Sequence, residues 1–489
     1  MQKIKLRKEP SIEAKMSAYD YQREAFEKIK DLEYASIFHE QGLGKTKIAV
    51  DLILYWLDRK KIDVALILTK KMLIRNWMKE LDRHTYLTPS VLTNNKSDNY
   101  YVFNGPSRVI ITNFETIVTE FKRFSLFLKS RSVAIVIDES ARIKNPESKI
   151  TRSLFELSPL FVKRIIMTGT PVANRPFDIW AQIFFLDGGE SLGDDFVSFK
   201  SQTNLSNKLL DDPIRRMEFE DTISSIFEKI ESFSVRETKD SGIIELPPKH
   251  FYTVPCAFEP NQHEIYEQIR REESLHIVKD GVEDIDTSEV VLKRLLRLIQ
   301  ATSNPKLIDE SYSHIPGKMS VLGEMLEEII QSNEKCIVWS SFVDNVDWLV
   351  EKFKKYNPVK VHGAMSQGDR DHSIEEFIEN SEVMVLFATP QSAKEGLTLT
   401  VANHAIFYDR NLSLDDYLQA QDRIHRISQK KDCHIYNMII EDSIDEWIDS
   451  LVMSKSYAAK LTQGDLTIEE YRASVDYGFS EIIEKILKG

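Results

Sequence analysis

Short apolar runs rich in Val and Ile recur through the first part of the chain, at Tyr34–Phe38, Val64–Leu68, Arg108–Ile111, Val133–Ile137 and Arg164–Met167. Between them apolar positions fall at helical spacing, as in Thr46–Leu57 and Leu73–Leu81. Near-continuous apolar strands alternating with amphipathic helices predict a parallel sheet covered on both faces. A second series follows Pro316, at Cys336–Trp339, Val359–Val361, Val383–Phe387, His404–Tyr408 and His434–Met438. It predicts a second α/β domain of similar size. The stretch between, from about Asp187 to Ile315, lacks that rhythm and reads as mainly helical, with Thr253–Val254 as a further strand. Its charged segment Ile269–Asp286 reads as exposed helix or mobile chain, and the pattern after Glu441 is helical again.

Bulk properties narrow this picture. With 489 residues, 42% hydrophobic and 29% charged, the chain suits a soluble globular protein of several structural units. It holds no apolar run of about 18 residues, the length a membrane helix needs. The basic start MQKIKLRKEP has no apolar stretch behind it, so it is not read as a secretory signal. Cys256, Cys336 and Cys433 lie far apart without metal-ligand spacing, as expected of reduced thiols in a cytoplasmic protein. A net charge of -13 argues against coating nucleic acid with the whole surface, but leaves room for a local basic groove. From Glu441 to Gly489, eleven acidic residues face five basic ones, which makes this tail a poor contact for DNA.

Three segments carry chemistry. His39–Thr46, HEQGLGKT, lies between a predicted strand and a predicted helix. Gly42 and Gly44 let the backbone around Leu43 curl so that its N–H groups face a polyphosphate; Lys45 can reach the β and γ phosphates, and the Thr46 hydroxyl can coordinate magnesium. In Val133–Asn145, VAIVIDESARIKN, an apolar strand ends in Asp138-Glu139 at the carboxyl edge of a parallel sheet, where ligands of such sheets bind. Asp138 would hold Mg²⁺ through water and Glu139 would deprotonate the attacking water; alone, the pair is equally explained as solvated charge. In Gln419–Gln429, QAQDRIHRISQ, a helix would put Arg423 and Arg426 on one face, suited to stabilising charge on a transferring phosphoryl group. An exposed charged helix face explains that run as well.

Taken in order, the motifs resemble the Swi/Snf-type branch of superfamily 2 helicase-like ATPases, from Tyr19 to about Ile440. YQREAF (Tyr21–Phe26) is similar to the adenine-reading segment, with Gln22 in the glutamine position. LILTKKMLIRNWMKEL (Leu66–Leu81) and VIITNFETI (Val109–Ile117) resemble segments that line the nucleic-acid track, and MTGTPVANRPFDIW (Met167–Trp180) the coupling motif. LPPK (Leu246–Lys249), SNP (Ser303–Pro305) and PGKM (Pro316–Met319) stand where the branch has its inter-lobe landmarks. KCIVWSSF (Lys335–Phe342), KVHGAMSQGDR (Lys360–Arg370), KEGLTLT (Lys394–Thr400) and QAQDRIHRISQ complete the second lobe.

The resemblance implies two RecA-like lobes, 1–186 and 316–440, with helical protrusions over 187–315 and an acidic helical brace over 441–489. It implies ATP and Mg²⁺ as cofactors, with Gly396 and Gln419 joining the nucleotide-binding set. Duplex DNA is the implied track, ahead of single-stranded DNA or RNA, with Lys70, Lys71, Thr112, Asn113, Ser340 and Thr398 as its candidate contacts. The implied activity is ATP-driven translocation that remodels or displaces bound proteins or DNA structures, with partner proteins in a larger assembly. An ATP-gated DNA clamp and a fork-annealing or unwinding helicase stay open as alternatives. Four departures bear on coupling. Ala141 replaces the histidine of the acidic box, Leu412-Ser413-Leu414 replaces Trp-Asn-Pro, and Lys70-Lys71-Met72 replaces Pro-x-Ser. Ala393 and Lys394 stand for glycines, a variant that resembles compact bacterial or phage members.

Overall fold

Parallel pairing governs both sheets of the computed structural model, which describes residues 10–205, 209, 212–242, 246–280, 289–392, 398–426 and 428–475, with backbone alone at 240, 272–280 and 289–294. The first sheet has strands β1 (Tyr34–Ile37), β2 (Val64–Thr69), β3 (Ser90–Val91), β4 (Val109–Asn113), β5 (Val133–Asp138), β6 (Lys163–Met167) and β7 (Ser234–Val235). Their spatial order is β3-β4-β2-β5-β6-β1-β7. The second has β8 (Lys249–Cys256), β9 (Lys335–Trp339), β10 (Val359–Val361), β11 (Val385–Ala388), β12 (Ala402–Phe407) and β13 (Cys433–Ile440), in the order β10-β11-β9-β12-β13-β8. The chain divides into two compact units. The first takes the described parts of Met1–Asn204, Asp221–Ile244 and Ala459–Thr467; the second takes those of Leu205–Glu220, Glu245–Ala458 and Ile468–Gly489.

Composition explains the sheets. Every residue of β2 (VALILT) and β4 (VIITN) is buried, as befits central strands covered by helices on both faces. Three helices frame the working edge of the first sheet: α1 (Asp20–Ile29), α2 (Lys45–Asp58) and α3 (Ile74–His84). Helix α3 buries Trp77, Leu81 and His84, spaced four and three residues apart on one stripe, and turns charged residues outward. Its Trp77 joins Trp56 of α2 in a core with Ile67 and Val136 from the strands. In the second unit Leu322, Leu326, Val338, Phe387 and Ile406 belong to a separate core.

The ten strands expected from apolar runs are present, with ends shifted by a residue or two. The expected strand at Thr253–Val254 is larger: β8 runs for eight residues and pairs with β13 throughout. It lies at the sheet's edge with Phe251 and Tyr252 exposed, so it is missed by a search for buried runs. The two-residue strands β3 and β7 are too short to leave a pattern. All three cysteines are buried and none is in a disulfide. No described helix is long and apolar enough to cross a membrane. Gly396, Ala393, Lys394 and the end of Ile269–Asp286 lie outside the described residues.

Candidate nucleotide site

The strand order of the first sheet places β5, β6 and β1 side by side, so their carboxyl ends converge. β1 feeds the glycine loop, which ends at Gly44 as the N-cap of α2, a helix of 14 residues. Gly42 and Gly44 have φ of +89° and +70°, a region that L side chains enter at a cost. A Cβ on Gly44 would also overlap the Gln22 amide. Gln22 reaches the loop from α1, its Nε2 donating to Leu43 O (3.4 Å) and to the Tyr21 hydroxyl (3.3 Å). Its Oε1 accepts from Tyr19 N at 3.0 Å.

Lys45 turns inward, donating to the carbonyls of His39 (3.0 Å) and Glu40 (3.2 Å). Gly169, after β6, presses against this loop: a Cβ there would stand 2.8 Å from Gln41 Cγ and 3.3 Å from Lys45 Nζ. His39 replaces the first glycine of the general pattern and is buried, its ring 6.1 Å from that of Tyr21. Neither of its ring nitrogens makes a well-directed hydrogen bond. Burial, then the Lys45 charge and more weakly Arg236, push its pKa down to about 4, so the ring is neutral beside the ammonium.

Asp138 ends β5. Its Oδ2 accepts from Trp77 Nε1 (2.7 Å) and from Thr69 Oγ1 (3.1 Å). Burial and the neighbouring Glu139 carboxylate raise its pKa to about 6, against the pull of Trp77, Lys45 and Thr69. Glu139 has φ of +57°, a left-handed conformation that costs a non-glycine residue about 1–2 kcal/mol and ends the strand abruptly. Ser140 then donates to Gln182 Oε1 (2.7 Å), whose Nε2 bonds Pro171 O and Asp178 O. The acidic box and the Met167–Trp180 segment are thus tied by one buried amide. The donor set of Thr46 hydroxyl and Asp138 carboxylate is all oxygen, which fits a hard cation such as Mg²⁺.

In the second unit the expected helical face for Arg423 and Arg426 is corrected. A helix α4 (Leu414–Gln421) ends before them. Arg423 is buried, its Nε donating to Gln419 O at 3.0 Å. Arg426 is half-buried, with Nη1 on Thr398 Oγ1 (2.9 Å). Gln419 is buried too, its Nε2 on Asp415. Three track candidates have their side chains inside the fold. Thr112 is fully buried, Asn113 caps the following helix through Thr116 N (3.0 Å), and Ser340 donates to Asp409 Oδ2 (2.6 Å). Lys71 is exposed and Lys70 half-buried. Residue patterns did not single out Trp77 and Thr69 as partners of Asp138, although both lie on or beside the quoted Leu66–Leu81 segment.

A glycine loop capping a helix, an acidic strand end and a threonine-bearing turn, converging at one carboxyl edge, define an α/β protein of the phosphate-loop class. The chain belongs to the SNF2-related family: that domain matches residues 31–307, and a helicase conserved C-terminal domain matches 317–428. An "Uncharacterized ATP-dependent helicase" of Mycoplasma pneumoniae is 26% identical over 441 residues, covering 88% of this chain and 40% of that protein. "Putative ATP-dependent helicase/translocase YwqA" of Bacillus subtilis is 26% identical, covering 86% and 45%. A human SWI/SNF-related regulator of chromatin, subfamily A member 1, is 25% identical, covering 91% and 44%. The chain therefore spans less than half the length of these curated relatives. Among solved structures, the Sulfolobus solfataricus SWI2/SNF2 ATPase core in complex with dsDNA is 25% identical with a TM-score of 0.42, covering 97% of this chain and 99% of that one.

Proposed function

We propose that the chain hydrolyses ATP and uses the energy to move along double-stranded DNA, displacing or remodelling what is bound there. The observation that carries the chemistry is the convergence of Lys45, Asp138, Glu139 and the Gly169 turn at one sheet edge, in a chain matched by both family domains. The movement is supported by the translocase name of the Bacillus relative.

In this reading the Gly42–Gly44 backbone and the start of α2 receive the phosphates, and Lys45 exchanges its two carbonyl partners for phosphate oxygens. Bound Mg²⁺ would neutralise phosphate charge, with Thr46 and Asp138 holding it. Asp138 is oriented for that role because Trp77 and Thr69 both donate to its Oδ2, and its carboxylate would help to hold the cation. Glu139 takes the proton of the attacking water, and Gln22 reads the base. Arg423 and Arg426 stabilise the transferring group, with Gln419 supporting Arg423 through its carbonyl. Lys70, Lys71 and Thr398 remain as track contacts, and partner proteins would act on the same motor.

The test is steady-state ATP hydrolysis against duplex DNA length, for wild type and Glu139→Gln. Removing the base should cost at least ~100-fold in rate while ATP still binds. Wild-type activity that rises with DNA length supports a processive motor. Hydrolysis insensitive to DNA would instead support an ATP-gated clamp, the reading that Ala141 in the acidic box favours.

A further inference from the structure

We propose that Arg236 and Asp465 are positioning residues for the phosphate loop, making the segment Ala459–Thr467 a strap that sets nucleotide affinity. The inference rests on the nucleotide-site reading above. Hydrogen bonds that join the entry to the loop with the chain from Val235 to Lys239 include these four. Phe38 N donates to Val235 O (2.8 Å), Glu40 N to Glu237 O (2.9 Å) and Lys239 N to Glu40 Oε2 (2.6 Å). The fourth is the Arg236 guanidinium, whose Nη1 donates to Phe38 O at 2.8 Å. The carbonyls that hold Lys45 belong to the next two residues, His39 and Glu40.

The guanidinium is held from its other side. Arg236 Nε donates to Asp465 Oδ1 at 2.6 Å, and Nη2 pairs with Oδ2, a two-point fork across 229 residues of sequence. Side-chain exposures are 8% for Arg236 and 19% for Asp465, so solvent screens the pair weakly. Asp465 is itself set by a helix ending. In α5 (Ile444–Thr462) the chain closes with Asp465 N on Lys460 O (2.9 Å) and Gly464 N on Leu461 O (3.1 Å), the double bond of a Schellman cap. Gly464 has φ of +73°, and a Cβ there would stand 2.7 Å from Phe227 Cδ1. The cap therefore leaves the aspartate little choice of position.

The consequence is directional. With Asp465 in place, the buried cation is compensated and its Nη1 stays on Phe38 O. Without it, the guanidinium must seek solvent or another acceptor, and the loop entry loses one of its ties. Such a shift acts on how the loop receives phosphate, ahead of the hydrolysis step. Anything that moves the 459–467 segment then changes nucleotide affinity.

The experiment compares Asp465→Asn, Asp465→Glu and Arg236→Lys with wild type, measuring KM for ATP, kcat, binding of a fluorescent ATP analogue and the thermal midpoint. Asp465→Asn and Arg236→Lys should raise KM and the analogue's Kd by about tenfold, with kcat changed far less. Asp465→Glu, which keeps the charge, should recover most of the loss. The double variant Asp465→Asn/Arg236→Lys should be no worse than the poorer single one. Wild-type affinity in Arg236→Lys, or additive losses in the double variant, overturns the proposal. Losses that follow the thermal midpoint alone, with Asp465→Glu no better than Asp465→Asn, overturn it as well. Should wild type itself fail to hydrolyse ATP, the functional reading fails, whereas analogue binding still decides this one.

Discussion

Asp445→Asn should be among the most damaging single substitutions in the second unit. Asp445 sits at the start of α5 and receives three donors: Lys318 Nζ on Oδ2 (2.7 Å), Ile440 N on Oδ2 (3.1 Å) and Thr302 Oγ1 on Oδ1 (2.9 Å). Lys318 is fully buried, and its other partner is the Tyr408 carbonyl at 3.0 Å. An asparagine can keep its oxygen on Lys318 and Ile440 and turn its NH₂ toward the Thr302 hydroxyl, which then donates to Ile299 O, but the buried ammonium loses its counter-charge. Breaking a buried ion pair on one side costs about 3–5 kcal/mol. Against a usual domain stability of about 5–15 kcal/mol, that brings the unit close to unfolding. Urea titration followed by tryptophan fluorescence reads the effect, because Trp447 is buried two residues from Asp445. The double replacement Lys318→Met/Asp445→Leu should recover much of the loss, since it removes both charges. A midpoint for Asp445→Asn corresponding to less than about 1 kcal/mol, or a double replacement as unstable as the summed singles, would refute the argument.

Two further outcomes follow from local geometry. Gly44→Ala should weaken binding of a fluorescent ATP analogue by at least about tenfold, since it adds left-handed strain and displaces the Gln22 amide. Unchanged binding in Gly44→Ala would contradict the loop geometry. The second outcome concerns acid stability. Burial would raise the Glu334 pKa, but hydrogen bonds from His404 Nε2 (2.6 Å), Lys431 (2.9 Å) and Asn403 hold it down to about 2, from 4.5. A depressed carboxylate stabilises the fold above its unfolded pKa, and that stability drains away as pH falls from about 4.5 toward 2. Glu334→Gln should flatten the fall of thermal midpoint across that window, and a slope equal to wild type would exclude the pairing.

What the chain reveals of its fold depends on burial. Central strands such as β2 and β5 are covered on both faces, so their residues must be apolar and the run is visible without any structure. β8 carries equal structural weight, pairing over its whole length, yet it lies at the edge with one side open. His250, Tyr252 and His434 are free to be polar there, and they form a stacked array with His404 and Tyr436 that no hydrophobic pattern announces. The second unit's arginines depart from the helical expectation for a different reason. Three-residue spacing implies one face only inside a helix, and the helix stops at Gln421, so Arg423 goes inward while Arg426 stays half-buried.

The site was legible where chemistry demands contiguous residues, and illegible where it recruits distant ones. A phosphate loop needs its glycines, lysine and threonine within one turn of chain, so HEQGLGKT states its purpose locally. The pKa of Asp138 depends on Trp77 and Thr69, which come from two other elements, and the placement of the loop involves Asp465, which arrives from near the end of the described chain. The SNP and PGKM segments show the same division. Ser303 and Ser340 both donate to Asp409 Oδ2, at 2.7 and 2.6 Å, while Thr302 and Lys318 both meet Asp445. These segments gather buried donors around two carboxylates inside the second unit. Their residues are therefore constrained first by the cost of an unpaired buried charge.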